Sequence, residues 1–308
     1  MKRFLPIVLV VLILSGAGYF LLKDDNKEDK NILKESFSFG EFNKRKSCSR
    51  LPMFLYKAGI KRPMIDLSQN KYKGIAFYFG QNFSNVLHKK EWEKYDYMGT
   101  YSIDNMGNIY LAPNPFISIK ATTFNLQKAI YKMDSQNGNL QRWLVIDEIA
   151  PNQNNPYGII SLVYDCDDNT IWASAIDKSN YKGSRGRIYH INPKTKKILQ
   201  KVEGFDALTL AIIHTNKHKL LLAGNARDNS LYAFVFKNSK ISNGAKKVLT
   251  LPNPNLHIRK VKVIGKNSLK IEAIKFNYSL VAETTKKVRF VYIATYNPST
   301  NSWSIIEK

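Results

Sequence analysis

Cysteine is almost absent from this sequence, with Cys48 and Cys166 the only two. Two distant thiols exclude a cysteine-ligated zinc cluster and a disulfide-dense scaffold. They leave either one disulfide, Cys48–Cys166, which an oxidising compartment would permit, or two separately buried thiols. Histidine is nearly as scarce, at five residues, and none is spaced like a metalloprotease pair on a helix. No Gly-x-Ser-x-Gly elbow occurs, and Gly183-Ser184-Arg185-Gly186 precedes a strand instead of a helix, so neither a serine hydrolase nor a phosphate loop is indicated. Acidic side chains number 24 against 47 Lys and Arg, a net charge of +23. Such a field favours anionic partners or reflects a solvated lysine-rich surface. Only 10 of the cations are Arg, the residue suited to bidentate phosphate recognition, so nucleic acid is not the expected partner. Helical periodicity is missing everywhere beyond the N-terminal segment.

That segment is the one long apolar run. Lys2 and Arg3 precede FLPIVLVVLILSGAGYFLL, and Lys23-Asp24-Asp25 ends it. Residues 1–22 read as a signal peptide, with small residues at Ser15–Gly18 for cleavage, or as an uncleaved signal anchor long enough to span a bilayer. Both readings export the rest, to the periplasm or the outer face of the membrane, anchored or secreted. Residues 23–35 form a polar tether, and 36–308 form the folded domain.

Within 36–308 one four-part template recurs about every 50 to 60 residues, the period of a propeller blade. Its clearest copy is YGIISLVYD, TIWASAID, GRIYHINPKTKK and ILQKVEG, each a short apolar run rich in β-branched and aromatic residues and bounded by turn formers. Further copies start near Pro63, Gly99, Ala207 and Ile258, the first of them degenerate (PMIDLS, KGIAFYFG, NVLHKK, EWEKY). The third-to-fourth strand turns MDSQNGN, INPKTKK and YNPSTNS are the most regular element. The fold class is therefore all-β, a β-propeller of four-stranded antiparallel blades. Five blades fit best and six are allowed, because SFSFGEF within 36–55 could donate a closing strand or part of another blade.

The phrase NPYGIISLVYDCDDNTIWASAID followed by GSRGRIYHINPKTKK resembles the repeat of NHL and SMP-30-like propellers, most closely over residues 95–205. For the SMP-30-like enzymes the resemblance implies a divalent cation, such as Ca2+, in the central channel and lactone hydrolysis. Asp206, Asn225 and Asp177 are the ligands to try first.

The acidic stretch Asp165-Cys166-Asp167-Asp168-Asn169 matches a calcium loop at alternate positions but has Thr170 where the motif needs Gly and Ile176 where it needs a bidentate Glu. It reads as a hairpin turn whose Asp and Asn side chains accept backbone N–H groups, with Trp172 filling the space between sheets. A functional site is expected on the opposite face. There the strand-one starts Met98, Tyr157, Asp206 and His257 meet the strand-two-to-three loops carrying Asn114, Asp177, Asn225, Arg227 and Asp228. The long loop after Asn114, with Phe116, Ile117 and Phe124, either meets a partner or packs over its own blade. The expected function is a noncatalytic binding module of the bacterial envelope, without a cofactor, contacting a protein, glycan or anionic polymer. The alternative is the metal-dependent hydrolase that the resemblance implies.

Overall fold

The computed structural model describes residues 37–43, 47–67, 71–114, 124–279 and 288–308. The signal or anchor segment, the tether and the loop tips Phe116 and Ile117 lie outside them. No helix among the described residues is long and apolar enough to cross a membrane.

Five antiparallel blades form a propeller ring. Blade 1 comprises β1 (Met64–Asp66), β2 (Ala76–Phe79) and β3 (Asn85–Leu87). Blade 2 comprises β4 (Met98–Ile103), β5 (Ile109–Pro113), β6 (Ala129–Met133) and β7 (Leu140–Val145). Blade 3 contains β8 (Ile159–Asp165), β9 (Thr170–Ala175), β10 (Arg187–Ile191) and β11 (Ile198–Glu203). In blade 4, β12 (Ala207–His214), β13 (Lys219–Asn225), β14 (Ser230–Lys237) and β16 (Lys246–Thr250) pair in order, and the short β15 (Lys240–Ile241) folds back on the end of β14. Blade 5 holds β17 (His257–Gly265), β18 (Ser268–Ile274), β19 (Phe290–Asn297) and β20 (Ser302–Glu307).

Burial follows position in the blade. Strands β5 and β9 are buried at every residue because neighbouring blades cover both of their faces, which is why IYLAP and TIWASA are nearly continuous apolar runs. The outer strand β11, ILQKVE, is mostly exposed and carries the charges that discourage edge-to-edge pairing. A separate apolar core fills each of three seams. Phe77, Trp92, Met98 and Tyr131 join blades 1 and 2; Tyr110, Trp143, Ile159 and Tyr189 join blades 2 and 3; Trp172, Ile188, Leu221 and Phe234 join blades 3 and 4.

The repeated turn has one mechanism. In blades 2, 3 and 5 the side chain of Asp134, Asn192 or Asn297 accepts the backbone N–H two residues on, at 2.8, 2.9 and 3.0 Å. Four residues on, Gly138, Lys196 and Asn301 take the left-handed conformation that closes the turn.

Two expectations are corrected. EWEKY is not a fourth strand: Lys90–Tyr95 is a 3₁₀-helix that drops Trp92 into the seam, where its indole N–H donates to the Gly138 carbonyl at 2.9 Å. Among the described residues, the segment before blade 1 supplies neither a closing strand nor a sixth blade. It is a strap that crosses the hairpin turns of the blades in descending order. Phe39 packs on Tyr296 and Trp303, and the Phe42 N–H donates to Asn267 of blade 5. The Asn43 N–H then donates to the His214 carbonyl of blade 4 at 2.9 Å. Cys48 is disulfide-bonded to Cys166 of blade 3, which settles the pairing left open by the sequence. Finally the Arg50 N–H donates to the Asp104 carbonyl of blade 2, and a short helix, Met53–Lys57, seats Phe54 against Phe77 and Trp92.

The acidic turn is structural, as read. Asn169 adopts positive φ, and the Asp167 N–H donates to Asp165 at 3.1 Å. Its carboxylates face blade 4, where the Lys219 ammonium lies 2.7 Å from Asp165 and 2.9 Å from Asp167, and the His214 ring lies 2.7 Å from Asp167. Burial works against the charge on Asp167, yet hydrogen bonds from Lys219 and His214 hold its carboxyl below the usual range. Together with the disulfide, the turn ties blade 3 to blade 4 and to the strap.

Candidate functional site: the channel mouth

On the face away from the strap, each innermost strand of blades 2 to 5 carries a bulge near its start. The pairing shifts between Met98 and Thr100, Ile159 and Ser161, Ala207 and Thr209, and Ile258 and Lys260. The extra residues, Gly99, Ile160, Leu208 and Arg259, thus occupy equivalent places, and a bulge releases its residue from the ladder. In blade 2 only glycine fits, since a Cβ on Gly99 would sit 2.9 Å from that of Asn114. In blade 5 the place holds an arginine. Its guanidinium reaches across the channel, donating from Nη1 to the Leu208 carbonyl at 2.9 Å and from Nη2 to the Ile160 carbonyl at 3.3 Å. Both acceptors are neutral, and no ion-pair partner for Arg259 occurs among the described residues. Burial pushes its pKa down from the ordinary value, and the neighbouring Arg289 adds to that while Tyr157 opposes it.

Aromatic rings form the wall above it. Phe276 packs on Tyr157 at 5.3 Å, on Tyr278 at 5.1 Å and on His257 at 5.9 Å between ring centroids. Beneath them Ile160, Ile176, Leu208 and Ala226 complete an apolar cluster. Burial raises the Tyr157 phenol to about 12, against the opposing charge of Arg259. Burial also lowers the His257 imidazole, opposed by hydrogen bonds to the backbone at Asp228 and Asn225.

Of the residues expected here, Tyr157, Asp206, His257, Asn225, Arg227 and Asp228 come together around the mouths of blades 3, 4 and 5. Asp206 is fully buried: Ser179 and the Gly186 N–H donate to one oxygen at 2.5 and 2.7 Å, and the Tyr278 hydroxyl donates to the other. Arg227 stands 4.0 Å from that second oxygen and donates to the carbonyls of Asn180 and Tyr181. Asp228 accepts from Tyr232 at 2.7 Å and from the Ser230 N–H at 2.9 Å, and Asn225 accepts from the Arg227 N–H at 3.1 Å. Asp177 lies apart, buried in an ion pair with Arg187 and accepting the Ala150 N–H at 2.9 Å. Met98 belongs to the seam between blades 1 and 2, and Asn114 backs Gly99, at the edge of the loop that leaves the described residues. The described end of that loop packs over its own blade, with the Leu126 carbonyl accepting from Tyr131 at 3.2 Å.

The triplet Asp206, Asn225 and Asp177 does not fit a divalent cation. A carboxylate offers about four lone-pair sites; three protein donors engage Asp206 and Arg227 stands beside it, Asp177 is neutralised by a guanidinium, and Asn225 serves its own loop. Among the described residues no group of three or more His, Cys, Asp or Glu is placed to hold a metal ion. Sequence reasoning missed Arg259, Phe276 and Tyr278. The last two follow β18 in the strand-two-to-three loop of blade 5, the loop class already singled out in the other blades. Arg259 is the third residue of β17, and only the bulge turns it inward.

No protein-family model matches the chain, and no curated protein matches it. Among solved structures it is similar to a protein of unknown function from Bacteroides caccae, at 10% identity and TM-score 0.41, covering 77% of this chain and 87% of that one. It is also similar to GH43B of a Bacteroides ovatus xyloglucan PUL, at 14% identity and TM-score 0.36, covering 65% and 38%. A third is the PQQ-bound aldose sugar dehydrogenase of Streptomyces coelicolor, at 8% identity and TM-score 0.28, covering 64% and 93%. What is shown of the resemblance to NHL and SMP-30-like repeats is the propeller arrangement of five blades.

Proposed function

We propose that the chain is an exported, noncatalytic binding propeller whose channel mouth receives an anionic group of a protein, glycan or polymer partner. The observation that carries this reading is Arg259. A guanidinium bonded only to two neutral carbonyls retains its full charge and three of its five N–H donors. In surroundings of low polarity such a cation gains most from a carboxylate, sulfate or phosphate that forms charge-assisted hydrogen bonds. The aromatic wall of Tyr157, Phe276 and Tyr278 supplies an apolar surface beside it, the usual pairing in a ligand pocket. The metal-dependent alternative lacks support from the donor set, because Arg259 already places a positive charge among the channel carbonyls.

Thermal unfolding in sodium sulfate against sodium chloride at equal ionic strength tests this. The parent protein is expected to gain stability saturably with sulfate, by about 1.4 kcal/mol at ten times the dissociation constant. Arg259→Met is expected to lose that response, and Arg259→Lys to keep part of it. An equal sulfate response in the parent and Arg259→Met would overturn the reading.

A further inference from the structure

We infer a second binding site, at the strap end of the seam between blades 1 and 2, for a small amphiphile with an apolar body and one anionic group. The other seams show why a space opens here. Between blades 2 and 3 the Ser102 hydroxyl accepts the Tyr164 N–H at 2.8 Å, and between blades 3 and 4 the Ser161 hydroxyl accepts the Leu210 N–H at 2.9 Å. Each pulls two innermost strands together. Blade 1 offers only the 3-residue β1 opposite the 6-residue β4. A cavity of 370 Å³ results, lined by Leu51 and Leu55 of the strap, Met64 and Ile65 of β1, and Tyr101 and Ile103 of β4. Its size falls within the range of small-ligand pockets, about 300–1,000 Å³. Met64 and Tyr101 leave 46% and 40% of their surface open, apolar area that a bound molecule would cover.

Charge selects the occupant. Arg50 is the one formally charged residue lining the cavity, and it has no ion-pair partner among the described residues. The strap holds it in place: the Ser49 hydroxyl donates to the Ile103 carbonyl at 3.0 Å, the Arg50 N–H donates to Asp104 at 3.3 Å, and Cys48 is anchored covalently just before them. An open groove with aliphatic and aromatic walls and a single exposed guanidinium at its rim, carried on an anchored stretch of backbone, fits a ring or short chain ending in a carboxylate or sulfonate. The site is distinct from the channel mouth and shares no residue with it.

The probe is anilinonaphthalene sulfonate, followed by fluorescence with the full chain. One saturable site is expected in Arg259→Met, in which the channel mouth no longer takes the sulfonate. Met64→Trp, which fills the cavity from an exposed position, should weaken binding at least tenfold while leaving the melting temperature unchanged. Arg50→Met should weaken it by about two- to fivefold, as for loss of one solvent-accessible charged contact. Met64→Trp should keep the parent's stabilisation by sulfate, so that failure here and failure at the channel mouth are separable. Undiminished affinity when Met64→Trp and Arg50→Met are each added to Arg259→Met, or no saturable binding in Arg259→Met itself, would overturn the inference.

Discussion

Removing the disulfide by Cys48→Ala with Cys166→Ala tests how much the strap contributes to stability. The two cysteines are 118 residues apart. Cross-linking restricts the denatured chain by an entropy that grows with the logarithm of the closed loop, which for this span is worth about 4.9 kcal/mol at 25 °C. The native state should survive, because the strap keeps its hydrogen bonds to blades 5, 4 and 2. With an unfolding entropy of about 2.1 cal/mol/K per residue over the propeller, the loss corresponds to a fall in melting temperature of roughly 8 °C. Scanning calorimetry of the parent and the double variant, backed by urea unfolding, measures both figures. Reductant added to the parent should reproduce the shift, since Cys166 is exposed. A loss below about 1 kcal/mol would refute the reasoning, because the denatured chain would then already hold strap and blade 3 together.

Two further outcomes follow from buried charge. Lys219→Met strips the counter-ion from Asp165, whose side chain is 1% exposed, and should cost about 3–5 kcal/mol in urea unfolding, with part recovered by adding Asp165→Asn. Burial lowers the pKa of both His190 and His257 from 6.5, so the unfolded chain takes up protons first. Stability should be level above pH 6.5 and fall as the pH drops from there through the folded values; urea midpoints against pH should show this, and His190→Gln should flatten the slope.

The blade pattern was legible because each strand and turn is specified locally. INPKTKK and YNPSTNS announce the same Asx-type turn that the hydrogen bonds of Asn192 and Asn297 make, and the alternation in SLKIEAI matches its alternating burial. The acidic turn was legible for the same reason, since Asp165 accepts a backbone N–H of its own turn and Asn169 takes the left-handed conformation. What escaped depends on contacts between blades. EWEKY has the composition of an edge strand, and only the apolar seam between blades 1 and 2 draws Trp92 inward and winds it into a 3₁₀-helix. Asp177 and Asp206 look alike as loop carboxylates, yet one meets Arg187 and the other Tyr278, partners 10 and 72 residues away. SFSFGEF carries an alternation typical of strands, but its partners are turns of blades that the chain has yet to make.

That last point bears on assembly. The Gly40 N–H donates to the Tyr296 hydroxyl, 256 positions downstream. The strap's first lodging is therefore the last blade produced, so no partly synthesised chain can seat it there. Blades 2 to 4 can grow by adding each sheet to its predecessor, whereas the belt across their turns waits for the whole circuit. Such long-range closure is slow and leaves apolar residues such as Phe39 and Phe42 uncovered meanwhile. The propeller is thus finished from its beginning, with the Cys48–Cys166 bond holding the middle of the belt to blade 3.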